Sequence, residues 1–266
     1  MLDKYNRHIN YLRISVTDRC NLRCRYCIPC GDFVMLSHDD ILRFDEIVEV
    51  VREGVEMGID KVRLTGGEPL IRRDVVKLTG MIASVPGIRD LSMTTNGVLL
   101  ERFAHQLKSA GLMRVNISLD TMDPVRFREL TSGGDVNQVL RGIDSAVEAG
   151  LDPVKINCVV NGSASGPDAS AVKKLEEERG LQVRFIHQMD LNGGEFSVVD
   201  GGEGGDCKRC NRLRLTASGK VKPCLFSDIS FDVRGMGAKE ALNAAVLCKP
   251  AEGTVCSKDQ FYNIGG

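Results

Sequence analysis

The sequence predicts an α/β chain: six parallel strands alternating with helices in a partial (β/α)6 barrel, followed by a small C-terminal domain. Three observations carry that expectation. One short grammar recurs, consisting of Gly, an apolar residue, a few variable positions and a strand rich in Val, Ile, Leu and Met. It stands at Gly58 ("MGIDKVRLTGGE"), Gly87 ("PGIRDLSMTTNG"), Gly111 ("AGLMRVNISLD"), Gly150 ("AGLDPVKINCVVNG") and Gly180 ("RGLQVRFIHQMD"), with spacings of 24 to 39 residues. Upstream segments have helical spacing, as in Phe44, Ile47, Val48, Val51 and Val55, and again in Ile143, Ala146 and Val147. After Asp190 the composition turns glycine-rich, in "LNGGEFSVVDGGEGGD".

"YLRISV", from Tyr11 to Val16, supplies the first strand ahead of the first repeat. Gly at the head of each repeat suits the left-handed position just past a helix, where a Cβ costs energy. Alternating helices and strands imply a parallel sheet, and repeats of this length imply a barrel or part of one. The glycine-rich stretch reads as a flexible connection between a first domain, residues 1–190, and a second, residues 191–266. In the second, alternation in "RLRLTA" and "KVKPCLF" about Ser218-Gly219 predicts a hairpin, with Cys207 and Cys210 before it and Cys224 on its return strand. A helix from about Ala238 to Val246 and the tail "QFYNIGG" follow. So small a unit cannot hold itself together by apolar burial alone, which makes a metal or cluster a physically sensible staple.

Composition narrows the function classes. The chain has 266 residues, 42% apolar and 27% charged, enough for a substantial core. No apolar run approaches the roughly 18 residues of a membrane helix, and "MLDKYNRHINYLRIS" lacks the order of a signal peptide, so a cytoplasmic protein without a membrane partner is expected. In a reducing compartment its ten cysteines read as metal or redox sites rather than structural disulfides. A net charge of -1 leaves no footprint for nucleic acid or an acidic membrane, so an anionic ligand must be met by a local group of Arg and Lys.

Active sites of parallel α/β folds form at the carboxyl ends of the strands. There the sequence places a cysteine loop, Thr65 through Pro69, Thr94 through Gly97, Ser118 through Asp120, Asn157 through Asn161, and His187 through Asp190. Each alone is ordinary turn chemistry; their agreement in position argues for a polar small-molecule site. In "CNLRCRYCIPC", Cys20, Cys24 and Cys27 form C-x3-C-x2-C, a spacing that lets one loop wrap three thiolates around a four-iron cube. Three ligands leave one iron open for something else. A zinc site and incidental cysteines are the alternatives, and Cys30, outside the pattern, reads as a loop thiol.

"CNLRCRYC" after strand one and "GGEP" after strand two resemble the radical S-adenosylmethionine (SAM) enzymes. With "TTNG", "NISLD", "VKIN", "VRFIHQMD" and the second triad C-x2-C-x13-C in "CKRCNRLRLTASGKVKPCLFS", the chain is similar, over nearly its whole length, to the GTP 3',8-cyclases of molybdenum cofactor biosynthesis. The fold implied is a TIM-like radical SAM partial barrel with a small, twitch-like auxiliary-cluster domain. The resemblance implies two [4Fe-4S] clusters, one on Cys20, Cys24 and Cys27 and one on Cys207, Cys210 and Cys224. It implies that Tyr26, Gly66, Gly67, Ser118 and Met189 line a SAM site, with Arg184 also facing SAM. GTP would be bound by Arg13, Arg63, Thr94, Lys155, Arg212 and Arg214, with Arg13, Arg212 and Arg214 the catalytic group. Arg suits phosphate because its planar fork donates paired hydrogen bonds. Guanine would meet the open iron of the second cluster, and Gly265-Gly266 would thread into the site. The partners implied are a reductant protein such as a flavodoxin or ferredoxin and a downstream enzyme that forms the pyranopterin.

Several residues depart from the family pattern. The segment 191–206 is short, "NGSASGPDASA" is loose, Ile28 replaces a Met, and His187-Gln188 replaces an acidic-aromatic pair. Cys248 and Cys256 are extra, and either could close the second cluster with a fourth thiolate. Two other classes therefore stand beside the cyclase: a radical SAM enzyme acting on a different substrate such as a peptide, and a non-catalytic iron-sulfur or zinc protein.

Overall fold

The computed structural model describes residues 1–27, 35–202 and 204–264. Six strands follow the repeats: β1 (Tyr11–Ser15), β2 (Lys61–Thr65), β3 (Asp90–Thr95), β4 (Arg114–Ser118), β5 (Val154–Val160) and β6 (Gln182–His187). They lie side by side in chain order, each parallel to the next. The glycines that head the repeats have φ between 64° at Gly180 and 103° at Gly87, the left-handed conformation that follows a helix and that other residues adopt at a cost.

Successive side chains of a strand face opposite ways, and this sheet uses that alternation to separate core from site. Leu12, Ile14, Val62, Leu64, Leu91, Met93, Val115, Ile117 and Ile156 are fully buried in the core. The residues between them are polar, and the register stacks them in rows. Arg13 pairs with Arg63, Arg63 with Ser92, and Ser92 with Arg114. Toward the carboxyl ends, the next row on this face joins Thr94, Asn116 and Lys155, and the next joins Ser118, Asn157 and Arg184.

The covering helices are α1 (Phe44–Glu56), α2 (Val75–Ala83), α3 (Leu100–Ser109), α4 (Pro124–Thr131), α5 (Val136–Glu148), α6 (Pro167–Lys173) and α7 (Leu175–Arg179). The β4–β5 and β5–β6 crossovers each carry two helices. Asp123 and Asp135 start α4 and α5 by accepting the backbone N–H groups of Arg126 and Asn137. The buried stripe of α5 is Val136, Val139, Ile143 and Ala146. Val147, the last of the three residues at helical spacing, is 48% exposed, because the stripe passes through Ala146 and leaves Val147 at its edge.

The predicted hairpin is β7 (Arg212–Leu215) and β8 (Lys220–Lys222), followed by β9 (Phe231–Asp232), α8 (Val233–Met236), α9 (Ala238–Leu247) and α10 (Phe261–Ile264). β7 pairs in parallel with the free edge of β1, so one nine-stranded sheet runs β6-β5-β4-β3-β2-β1-β7-β8-β9. Leu213, Leu215, Val221, Ala241, Leu242 and Ala245 join the same core as the first six strands. Burying each of the Leu and Val side chains contributes roughly 1.5–3 kcal/mol, so this region has an apolar anchor besides any metal. Among the described residues no helix is long and apolar enough to cross a membrane.

Candidate active site

Two cavities meet inside the sheet. The first, of about 180 Å3, is lined by Cys20, Cys24 and Cys27 together with Tyr26, Gly66, Gly67, Ser118 and Met189. The glycine pair is stapled to the chain leading into the cysteines: Gly67 N donates to Thr17 O (2.7 Å) and Glu68 N to Arg19 O (2.8 Å). A Cβ on Gly67 would lie 2.2 Å from the Arg19 carbonyl oxygen, and one on Gly66 2.6 Å from that of Thr17. Glycine is therefore required at both positions by the protein's own backbone.

Other bonds fix the rest of this loop. Buried Glu68 accepts from Leu70 N (3.0 Å), Thr95 Oγ1 (2.7 Å) and Asn96 N (2.7 Å), and burial pushes its carboxyl up to about 7. Asn96 Nδ2 donates to Asn21 Oδ1 (2.8 Å) and lies 3.8 Å from Cys20 Sγ. The Tyr26 hydroxyl donates to Asp120 Oδ2 (2.8 Å), while Asp120 Oδ1 accepts from Val159 N (2.8 Å), strapping the third-cysteine turn to β4 and β5. Burial, and then the neighbouring thiols, push Cys24 and Cys27 up to about 12. Such thiols give up their protons when a cation arrives, which is the behaviour of cluster ligands. Among the described residues no three Cys, His, Asp or Glu side chains stand close enough to share one ion. A four-iron cube does not ask for that convergence, since each thiolate takes a different corner.

The second cavity, of about 190 Å3, is lined by Cys207, Cys210 and Cys224 and by five arginines, Arg13, Arg63, Arg184, Arg212 and Arg214. Asn157, Ile186 and Met189 line both cavities. Two buried cations clamp the triad from behind. Lys249 Nζ donates to Arg212 O and Pro223 O, both at 2.7 Å, joining the chain after Cys210 to the chain before Cys224. Arg7 donates to Cys207 O (2.8 Å), Ala251 O (3.1 Å) and Pro250 O (2.6 Å), and its Nε meets Asp3 (2.6 Å). Burial alone would raise the Cys210 thiol, but Lys249 and Arg212 outweigh it and bring it down to about 6. Within the second triad Cys210 is thus readied as a thiolate, whereas burial pushes Cys207 up.

Cys248 is exposed at the end of α9, and buried Cys256 lies 3.7 Å from Lys222 Nζ and 3.9 Å from Asp259 Oδ2. Neither lines the second cavity. The cations crowd one another: burial, then Arg214, holds Arg13 well below its usual range; burial, then Arg212, brings Arg214 to about 10; and burial, then Arg184, brings Lys155 to about 8. A polyanion placed among them would relieve all three at once.

The pattern of the Radical SAM superfamily matches residues 14–162, and that of Molybdenum Cofactor Synthesis C matches residues 168–262. A protein of Alkaliphilus oremlandii named GTP 3',8-cyclase is 39% identical over 94% of this chain and 93% of its own length. One of Clostridium botulinum with the same name is 36% identical over 100% of both chains. The chain belongs to the GTP 3',8-cyclase family of radical SAM proteins. Its fold is also that of Streptococcus suis SuiB in a crystal structure bound to S-adenosylmethionine, with TM-score 0.63, 16% identity and coverage of 93% of this chain and 66% of that one.

Of the expected family residues, Cys20, Cys24 and Cys27 line the first cavity and Cys207, Cys210 and Cys224 the second. Arg13, Arg63, Arg212 and Arg214 gather around the second cavity, and Arg184, expected to face SAM, joins them rather than lining the first. Thr94 lines the first cavity, not the second; Lys155 shares the inward row of Asn116 but lines neither. His187 lines the first cavity and sits 3.3 Å from Asp200. Cys30, Ile28, Gly265 and Gly266 lie outside the described residues, while Phe261 of the tail lines the first cavity. Sequence reasoning missed Asp120, Glu68, Lys249 and Arg7 as fasteners, since the partners that make each of them a cross-link are between 26 and 244 residues away in the chain.

Proposed function

We infer that this protein is a radical SAM GTP 3',8-cyclase, an enzyme that joins C3' of the GTP ribose to C8 of the guanine in the first step of molybdenum cofactor biosynthesis. One observation carries this reading beyond the family match: the two cysteine triads open into adjoining cavities, and the cations lie on the side of the second. When bound, a [4Fe-4S] cluster on Cys20, Cys24 and Cys27 and its SAM supply one-electron C–S cleavage and hydrogen-atom abstraction.

The chain's own residues do the rest. Tyr26, Gly66, Gly67, Ser118 and Met189 hold SAM, the glycine backbone admitting its methionyl end. Arg13, Arg63, Arg212 and Arg214 grip the triphosphate, and Arg13, Arg212 and Arg214 also keep the nucleotide oriented as the new bond forms. Thr94 and Lys155 support the nucleotide from the neighbouring row. Cys207, Cys210 and Cys224 would hold a second [4Fe-4S] cluster and leave one iron for guanine; neither Cys248 nor Cys256 lines the cavity, although Cys256 packs in the same apolar cluster as Cys224. The electron comes from a reductant protein such as a flavodoxin or ferredoxin, and the product passes to a pyranopterin-forming enzyme.

Anaerobic iron and sulfide quantitation, with product analysis after adding SAM, GTP and dithionite, tests this. About eight irons per chain and a cyclised nucleotide are expected. SAM cleavage without GTP binding would move the substrate elsewhere, and zinc in both triads without sulfide would end the radical reading.

A further inference from the structure

Asn116 on β4 is 1% exposed and lines the cationic cavity. Neither its side-chain oxygen nor its nitrogen has a hydrogen-bond partner, and the Oγ1 of Thr94, its cross-strand partner in register, also has none. An amide buried with both ends unmet is costly, and a native structure keeps such a group where something else completes it. The adjoining β4 residues Val115 and Ile117 are apolar and face the core, so the polar choice is specific to the inward face.

The register says which part of a nucleotide reaches this amide. Asn116 lies two residues beyond Arg114, whose row carries Arg13 and Arg63, and two residues short of Ser118, whose partner Asn157 lines both cavities. Two residues span about 6.6 Å along a strand. Phosphates held at the arginine row therefore leave the ribose at the height of Asn116, below the opening into the first cavity. A vicinal diol offers donors and acceptors together, and an amide supplies the complement of both.

We propose that Asn116, assisted by the Thr94 hydroxyl, binds the ribose 2'- and 3'-hydroxyls of GTP and so presents the sugar to the junction of the two cavities. This deepens the GTP reading above and rests on it. It is tested by measuring, under anaerobic conditions, the affinity of the reconstituted holoenzyme for GTP, 2'-deoxyGTP and 3'-deoxyGTP. Wild type should bind at least one deoxynucleotide about 5- to 100-fold more weakly than GTP, because a missing hydroxyl leaves the buried amide unmet again. Asn116→Ala should bind GTP about as weakly as wild type binds that analogue, while its affinity for the analogue stays unchanged. If the alanine variant does not fold, Asn116→Ser reports the same coupling, and the wild-type comparison needs no variant. Equal wild-type affinity for all three nucleotides overturns the assignment while leaving GTP as substrate. So does a variant that weakens GTP and both analogues by one common factor. A wild-type enzyme that cleaves SAM but binds none of the three overturns the GTP reading itself.

Discussion

Gly67→Ala isolates one contact on which the first triad depends. The added methyl group would sit 2.2 Å from Arg19 O, 2.6 Å from Arg19 C and 2.9 Å from Asp18 O, all backbone atoms with no flexible end to yield. Gly67 is not among the residues with positive φ, so dihedral strain does not enter and the contact alone decides the outcome. An ordinary carbon–oxygen contact of about 3.4 Å requires the two segments to part by about 1 Å, stretching the bonds Gly67 N to Thr17 O and Glu68 N to Arg19 O out of range. Two buried bonds at about 1 kcal/mol each, with about 1–3 kcal/mol for displaced packing, give a loss of about 3–5 kcal/mol. That is survivable for a domain of ordinary stability. Denaturation of the metal-free chain measures the loss, and iron content with electron paramagnetic resonance follows each cluster. The variant should keep about four irons at the second triad and lose the first cluster together with SAM cleavage. An unchanged denaturation midpoint with SAM cleaved at the wild-type rate would refute the packing argument.

The remaining predictions concern the second cavity and one carboxyl. Arg212→Ala should weaken GTP binding about 10- to 100-fold in an isothermal titration, and equal affinity would remove Arg212 from the phosphate grip. Lys249→Met leaves the Arg212 and Pro223 carbonyls unmet, so the chain should lose about 3 kcal/mol and iron should fall toward about four per chain; full second-cluster occupancy would show the clamp to be dispensable. Cys224→Ser should halve the iron while Cys256→Ser leaves it intact, and the reverse result would make Cys256 a ligand. Glu68 sits at about 7 folded against 4.5 ordinarily, because burial favours its protonated form. Its contribution is full below the unfolded value and lost as pH rises through 7, by at most about 3 kcal/mol. Stability of the metal-free chain should fall between about pH 5 and pH 8, and Glu68→Gln should flatten that fall; parallel curves would exclude Glu68 as its source.

The barrel strands were legible because each repeat announces itself locally: a glycine that must follow a helix, then an apolar alternation. The triads were legible for the same reason, since C-x3-C-x2-C and C-x2-C-x13-C lie within short stretches of chain. Helix faces were read less well, as Val147 shows, because three apolar residues at helical spacing do not say which of them lies at the edge of the stripe. The paired helices of the β4–β5 and β5–β6 crossovers carry no repeat of their own and were not anticipated.

Chain order and local chemistry thus determined the strands, the cysteine sets and the basic residues, because each is written in neighbouring positions. Only the tertiary structure decided that β7 closes onto β1, which brings Arg212 and Arg214 beside Arg13. Only it decided that Arg7 and Lys249 clamp one triad from opposite ends of the chain, and that Asn116 is left with an unmet amide on the wall of the cationic cavity. These depend on register and on packing between segments up to 244 residues apart, distances over which a sequence pattern holds no record of contact.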